Sequence, residues 1–409
     1  MTSIIQSEIR TKWAGELELE LKDNILGFWL KHSFDEQCGG FLGQVNRDLT
    51  IVADAPKSLV LNTRLLWTFS YAYRMYGDAS YLSAAERAFD YLNKHFADRA
   101  NGGYYWMLHA DGSPLEGKKQ IYGQAFAVYA YSEYFRATKN LQALDYAIQA
   151  YRLIEQYGYD PVYGGYIEAL SEAWEETDDL SLSDKDLNEK KSMNTHLHVL
   201  EAYTNLYRVW QSVELQAQLT SLVRLTIKHI VDEHTGHFKL FFDEAWQSQS
   251  QHISYGHDIE GSWLLVEAAE VLGDAALLEE TKKVALKMAD AVLTRGYDTD
   301  GGLFNEALGD TIIDDHKDWW PQAEAVVGFY NAYQLTGKET YLEASLRSWR
   351  FIQHAIVDQT YGEWYWSVKR DGSPSDNMQK ISAWKCPYHN SRACFELLER
   401  LQLADVQQD

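Results

Sequence analysis

The chain has 409 residues, 46% of them hydrophobic, with 60 acidic against 37 basic side chains and a net charge of −23. That balance excludes nucleic acid and anionic membrane surfaces as partners, since both demand basic patches, and it supplies apolar residues for a large core. Three cysteines without CxxC spacing exclude a disulfide framework. No apolar run is long enough to span a bilayer, and residues 1–8 lack a basic-then-apolar leader, so the expectation is a cytoplasmic protein.

In chain order, residues 5–31 read as one helix, broken at Asp35-Glu36-Gln37-Cys38-Gly39-Gly40-Phe41. Helices near 58–77 and 79–97 follow, then a second break from Asp98 to Tyr104 with its own Gly102-Gly103 pair. Helices near 119–138 and 140–157 lead to the third break, Asp160 to Tyr166. The acidic stretch 172–190 reads as a long surface loop, after which helices near 191–211 and 212–231 return. A degenerate fourth break starts at Asp232, a fifth at Asp298 and a sixth at Asp358; the fourth and sixth lose the second glycine, to His237 and Glu363.

Six units of outer helix, Gly-rich hairpin and inner helix give twelve helices. Two glycines at a tight hairpin permit a left-handed backbone where a side chain would clash. Each hairpin falls at the same end of its helix pair, so six loops gather on one face. Units this long favour a ring over an open solenoid, whose repeats are shorter. The expected fold is all-α, an (α/α)6 barrel of twelve helices with short β-hairpins on the active-site face. It is one catalytic domain over 1–409, closed where the first helix meets the last near 387–403.

The starts of the inner helices hold the polar residues: Asn62 and Arg64; Tyr122 and Gln124; Asn194, His196 and His198; His257, Asp258 and Glu260; Trp320 and Glu324; Trp384, His389 and Arg392. A structural helix start needs one capping residue, not this density. In a ring the six starts converge on one cup. His257 and Glu260 are three apart and share a helix face, an imidazole beside a carboxylate as a general acid/base requires. Asn194 and His198 share a face, which leaves His196 pointing between helices. Trp320 and Trp384 suit stacking on the apolar faces of sugar rings. HExxH, GxSxG, P-loop and dinucleotide fingerprints are absent, so neither a metal nor a redox cofactor is expected.

The stretches KSMNTHLHVLEAY (191–203), GHDIEGSWLL (256–265), WWPQAEA (319–325), PYHNSR (387–392) and LNTR (61–64) together resemble the N-acylglucosamine 2-epimerase superfamily over nearly the whole chain. Asp258 and the MNTHLHVLE string resemble most the branch that epimerises cellobiose. The resemblance implies the (α/α)6 barrel and a cofactor-independent isomerase acting at C2 of a reducing-end glucose. It implies His257 and His389 as the acid/base pair, with Glu260 supporting His257. It also implies Arg64, Asn194 and His198 at the reacting end, with His198 counted among the catalytic groups. Trp320 and Trp384 would hold the sugar rings, Tyr122 would line the pocket, and Asp186 would reach in from the long loop. The expected partner is a small disaccharide, taken by a monomer. The rivals are an aldose–ketose isomerase or N-acylglucosamine epimerase, and a glycoside hydrolase using Glu260 and Glu324 as its carboxylates.

Overall fold

The computed structural model of the protein describes residues 3–183, 186–376 and 378–406. Among these residues the chain forms α1 (3–32), α2 (Leu59–Tyr76), α3 (79–96), α4 (Ile121–Thr138), α5 (141–158) and α6 (Met193–Tyr207). It continues with α7 (213–230), α8 (Tyr255–Leu272), α9 (Ala275–Arg295), α10 (Trp319–Thr336), α11 (339–356) and α12 (Tyr388–Val406). The even-numbered helices form the inner ring. Their side chains are buried nearly all round, as in Leu59 to Ala72 of α2, because other helices cover every face. The odd-numbered outer helices are amphipathic: α3 buries Tyr81, Ala84, Ala85, Ala88, Phe89, Tyr91, Leu92 and Phe96 on one face and turns Ser80, Ser83, Glu86 and Asp90 outward. The turn between partners is fixed chemically. Gly77 ends α2 in the left-handed conformation (φ 69°), and Asp78 then accepts from Ser80 N at 2.8 Å to start α3.

The ring closes as expected. The α1 residues Glu16 and Glu20 accept from the indole N–H groups of Trp349 and Trp364, and Trp29 of α1 donates to Glu363 at 3.3 Å. A collar of very short strands seals the hairpin face. The pair of residues before each inner helix bonds antiparallel to the hairpin of the next unit: 57–58 with 107–108, 119–120 with 169–170, 191–192 with 241–242 and 317–318 with 367–368. In unit four, Ile253 and Ser254 do the same with Ala307 and Glu306. Val45 of the first unit bridges Ile381 of the sixth and completes the circle.

Two repeated devices tie each hairpin to an inner helix. The Asp that opens a break accepts backbone N–H groups of its own turn, as Asp98 does from Ala100 and Asn101, and meets a buried lysine from just before an inner helix. The pairs are Lys57–Asp35 (2.7 Å), Lys119–Asp98 (2.7 Å), Lys191–Asp160 (2.7 Å), Lys317–Asp298 (2.9 Å) and Lys380–Asp358 (2.8 Å). Burial would raise the Asp98 carboxyl, but Lys119 and the turn N–H groups hold it at about 2. In unit four the lysine position is Ile253. The second device is the residue near the fourth place of the inner helix. Gln124 accepts from Tyr104 N (3.0 Å) and donates to Tyr104 O; Gln322 does the same at Leu303.

The described residues of the loop 172–190 have no regular structure, as expected, but they are anchored rather than loose. Trp174 is 6% exposed and donates to Asn101 O at 3.1 Å, and Lys118 pairs with Asp179 at 2.9 Å.

Candidate active site

The six inner-helix starts meet at the hairpin end of the barrel. On one side, Arg64 of α2 donates to the Tyr122 hydroxyl of α4 at 2.8 Å and lies over the Phe126 and Tyr388 rings. The Tyr122 ring packs 4.9 Å from His198 of α6 and 5.9 Å from Trp384. On the other side, Trp320 of α10 lies between two imidazoles, 4.6 Å from His257 of α8 and 5.5 Å from His389 of α12. The charges of Arg64 and His198 reach both His257 and His389, which joins the two halves into one cup. Arg64, Tyr122, His198 and His389 are buried, whereas His257, Asn194, Trp320 and Trp384 are partly open, so the cup faces outward along its aromatic wall.

Among the described residues, Arg64 Nε, Asn194 Oδ1, Glu260 Oε2 and Arg392 Nε are buried polar atoms of this site without a hydrogen-bond partner. Buried polar groups are costly unless hydrogen-bonded.

The support of His257 differs from the expectation. Glu260 does not orient His257; His257 Nδ1 bonds Ser254 Oγ at 2.7 Å. Glu260, fully buried, instead accepts from Arg392 Nη2 at 2.5 Å, and its Oε1 lies 3.9 Å from His389 Nδ1. The partner of His389 is Glu324, 2.7 Å from Nδ1. Burial, with the charges of His198 and Arg64, pushes His257 down to about 3, so it is neutral and a hydroxyl suffices as partner. A fully buried carboxylate needs a permanent cation, and Arg392 provides it. Burial and the charge of Glu324 push Glu260 up to about 7; burial also raises Glu324 and lowers His389.

Arg392 is the centre that spacing alone did not mark. It binds Glu201, Glu260 and Glu324 from three different helices and stacks on Trp263 and Tyr388. Its only signal in the sequence is that it shares a face with His389. Glu201 bonds His198 Nδ1 at 3.0 Å; its signal was the i,i+3 spacing. Carboxylate and imidazole atoms of Glu260, Glu324 and His389 lie within 4.8 Å of one another, a metal-like grouping. The position between the two carboxylates is taken by Arg392 Nη2, 2.5 Å from each, which is a guanidinium site rather than a divalent-cation site.

His196 points between helices, as its face predicts: Nε2 accepts from Tyr166 N at 2.8 Å and Nδ1 contacts Ser192 O at 2.6 Å. Asp186 receives a hydrogen bond from Ser183 at 2.5 Å, and its charge acts on Glu168, which puts it beside the start of α6.

The sequence model of the family described as N-acylglucosamine 2-epimerase (GlcNAc 2-epimerase) matches residues 40–393. The chain is 47% identical over 384 residues to a cellobiose 2-epimerase of Bacteroides fragilis, covering 94% of this chain and 98% of that one. It is 26% identical over 399 residues to a D-mannose isomerase of Marinomonas mediterranea, covering 93% and 96%. Among solved structures, the cellobiose 2-epimerase of Bacillus thermoamylovorans B4167 superposes with a TM-score of 0.91 at 40% identity, over 95% of this chain and 100% of that one. An alpha-mannanase of Bacteroides thetaiotaomicron superposes at 0.63 with 13% identity, over 98% and 97%, a likeness of fold alone.

Proposed function

Since the chain belongs to the N-acylglucosamine 2-epimerase family, we propose that it inverts C2 of the reducing-end glucose of β-1,4-linked disaccharides, converting cellobiose to glucosyl-mannose and lactose to epilactose. It is an isomerase of the cellobiose 2-epimerase kind. The observation that carries this reading is the pair of imidazoles, His257 and His389, on either side of the Trp320 ring, each with Nδ1 engaged and Nε2 left for chemistry.

The chemistry of the sugar sets the order of events. The C2 proton of a closed sugar ring is not acidic, so the ring opens first and exposes the C1 aldehyde. Neutral His257 is in the form that accepts a proton. As it takes the proton from C2, the electron pair of that bond becomes the C1–C2 double bond, and the carbonyl pair moves to O1. Arg64 offers N–H groups to that oxygen, and His198 faces it through Nε2. His389 returns a proton to the opposite face of C2, and the carbonyl reforms with inverted configuration. Glu324, raised by burial and 2.7 Å from His389 Nδ1, is the carboxyl that can pass a proton to Nδ1 as Nε2 gives one up. In the reverse direction the two histidines exchange roles. Trp320 and Trp384 hold the sugar rings, with Tyr122 and Asn194 at the hydroxyls of the reacting unit and Asp186 approaching from its loop. The second ring contributes binding energy remote from the chemistry.

The hydrolase reading fails on its carboxylates. Glu260 and Glu324 are buried side by side on one guanidinium, whereas hydrolysis needs them on either side of a glycosidic bond. The isomerase reading shares the intermediate, because a proton delivered to C1 of the same enediolate gives the ketose; slow ketose formation is expected. Among the described residues no helix is long and apolar enough to cross a membrane. Three free thiols suit a reducing cytoplasm, and one ring carrying the whole cup suits a monomer.

The test is product identification after incubation with cellobiose, lactose, glucose, mannose and N-acetylmannosamine in D2O. The 2-epimer of the disaccharides should form fastest and carry deuterium at C2. Equal kcat/KM for glucose, a preference for the N-acetylated sugar, or full retention of protium at C2 would refute the scheme.

A further inference from the structure

Glu201 lies on α6 one turn beyond His198 and is 2% exposed. Its Oε2 is 3.0 Å from His198 Nδ1. Its Oε1 accepts from the Tyr388 hydroxyl and from Arg392 Nη1, both on α12. Arg392 then holds Glu260 and Glu324, and Glu324 holds His389. One carboxylate thus touches the supports of both sides of the cup.

We infer that Glu201 is a positioning residue that fixes His198 as its Nδ1–H tautomer, so that Nε2 is the nitrogen presented to the sugar. The inference rests on the epimerase reading for its kinetic consequence but not for the tautomer itself. Burial alone would raise the Glu201 carboxyl, yet Arg392, His198 and Tyr388 bring it down to about 2, so it is ionised throughout the working range. An ionised carboxylate only accepts hydrogen bonds. Whatever the charge of the ring, Nδ1 must therefore carry a hydrogen. Nε2 becomes the one nitrogen whose protonation can change during ring opening or at O1 of the enediolate. The Tyr122 and Phe126 rings, each 4.9 Å from the imidazole, keep the ring in this orientation.

Glu201→Gln separates position from protonation. The donors of Tyr388 and Arg392 point at Oε1, so the amide oxygen stays there and the amide NH2 turns toward His198 Nδ1. A donor facing Nδ1 moves the ring hydrogen to Nε2. The shape of the site is unchanged, but the nitrogen offered to the sugar has the wrong form. The analogous Asp→Asn change in serine proteases leaves geometry intact and costs about 10⁴ in kcat through the wrong tautomer.

The experiment uses the full-length protein with ¹⁵N-labelled histidine. Side-chain ¹⁵N–¹H correlation spectra of the wild type, Glu201→Gln and Glu201→Asp are recorded without substrate, and kcat and KM are measured on cellobiose. The wild type should show Nδ1–H at His198. Glu201→Gln should show Nε2–H, with kcat lowered about 10²-fold or more and KM within a few-fold. Glu201→Asp keeps a carboxylate and should keep Nδ1–H with kcat partly recovered. Nε2–H in the wild type, Nδ1–H retained in Glu201→Gln, or a switched tautomer with full kcat would each overturn the inference. Should Glu201→Gln not fold, the wild-type spectrum and the Glu201→Asp rates decide. A mistaken substrate would alter the rates of all three proteins and leave the spectra as stated.

Discussion

His196 and His198 are two residues apart and both buried, yet the structure gives them unrelated work, and substitution at His196 separates them. His196 Nε2 accepts from Tyr166 N, and its ring packs 4.9 Å from Trp246. Alanine removes that acceptor, at about 1–3 kcal/mol for an orphaned buried N–H, and leaves a cavity costing about 2 kcal/mol more. His196→Ala should therefore lose roughly 3–5 kcal/mol of stability while the folded fraction keeps its kcat. Glutamine is the specific rescue, because Gln124 and Gln322 hold the same place in units two and five and accept from the same hairpin N–H. His196→Gln should recover all but about 1 kcal/mol at pH 7.

The pH dependence supplies a second arm. Burial pushes His196 from 6.5 down to about 3, so between these values the unfolded chain binds the extra proton. Stability from this group is full above 6.5 and is lost as pH falls toward 3, on the order of 5 kcal/mol across the window. Glutamine does not titrate. His196→Gln should thus be less stable than the wild type at pH 7 and more stable at pH 4, as read from denaturant unfolding followed by tryptophan fluorescence and circular dichroism. A gap that is the same at both pH values, or a folded His196→Ala whose kcat has fallen by about 10²-fold or more, would refute this division of labour.

His257→Ala and His389→Ala should each stay folded and lose about 10²-fold or more in kcat on cellobiose; retention above about a tenth would remove either from the acid/base pair. Glu168 is buried against Ser192 N and Thr195 Oγ1, and burial raises it from 4.5 to about 7, so the folded chain holds its proton more tightly. Its stabilisation is full below 4.5 and lost as pH rises through 7, so Glu168→Gln should gain on the wild type in denaturation midpoint from pH 5 to pH 8; a constant difference would show that the carboxyl is ionised throughout. Asp258 accepts from His237 Nδ1 and Phe238 N, both at 2.7 Å, so Asp258→Ala should cost about 2–4 kcal/mol, and Asp258→Gln should cost less when paired with His237→Gly than alone; additive costs in that cycle would deny the coupling.

The ring was legible because four units write the same Asp-to-Gly-Gly break and the other two keep its Asp and first glycine, and the cup because polar residues crowd the inner-helix starts. Helix geometry was enough to send His198 inward and His196 between helices. It was not enough for Glu260. Spacing says that residues 257 and 260 share a face; it does not say which neighbour a carboxylate will choose. Arg392, 132 residues away, outcompetes a neutral imidazole three residues away because only a full charge offsets complete burial. The collar lysines were missed for a related reason. A lysine in a sequence reads as solvent-facing, and only the ring brings Lys119 within 2.7 Å of Asp98.

Unit four shows how the repeat yields to chemistry. In units one and three, Ser58 and Ser192 stand just before the inner helix and cap it, accepting from Leu61 N at 3.0 Å and Thr195 N at 3.1 Å. Ser254 stands in the same place, but its hydroxyl is turned to His257 Nδ1, and α8 begins without a side-chain cap. A serine cap is worth about 1 kcal/mol. The same unit lacks the collar lysine, and the second glycine of its hairpin is His237, held by Asp258. Pinning of the hairpin has passed from the lysine to Asp258, which takes both the Phe238 N–H and the His237 ring. That leaves Ser254 to orient His257, the one histidine of the proposed acid/base pair that is partly open to the cup. The departures from the repeat in this unit go together: Asp258 on the helix pins the hairpin in place of the lysine, and the serine that caps the helix elsewhere is given to His257.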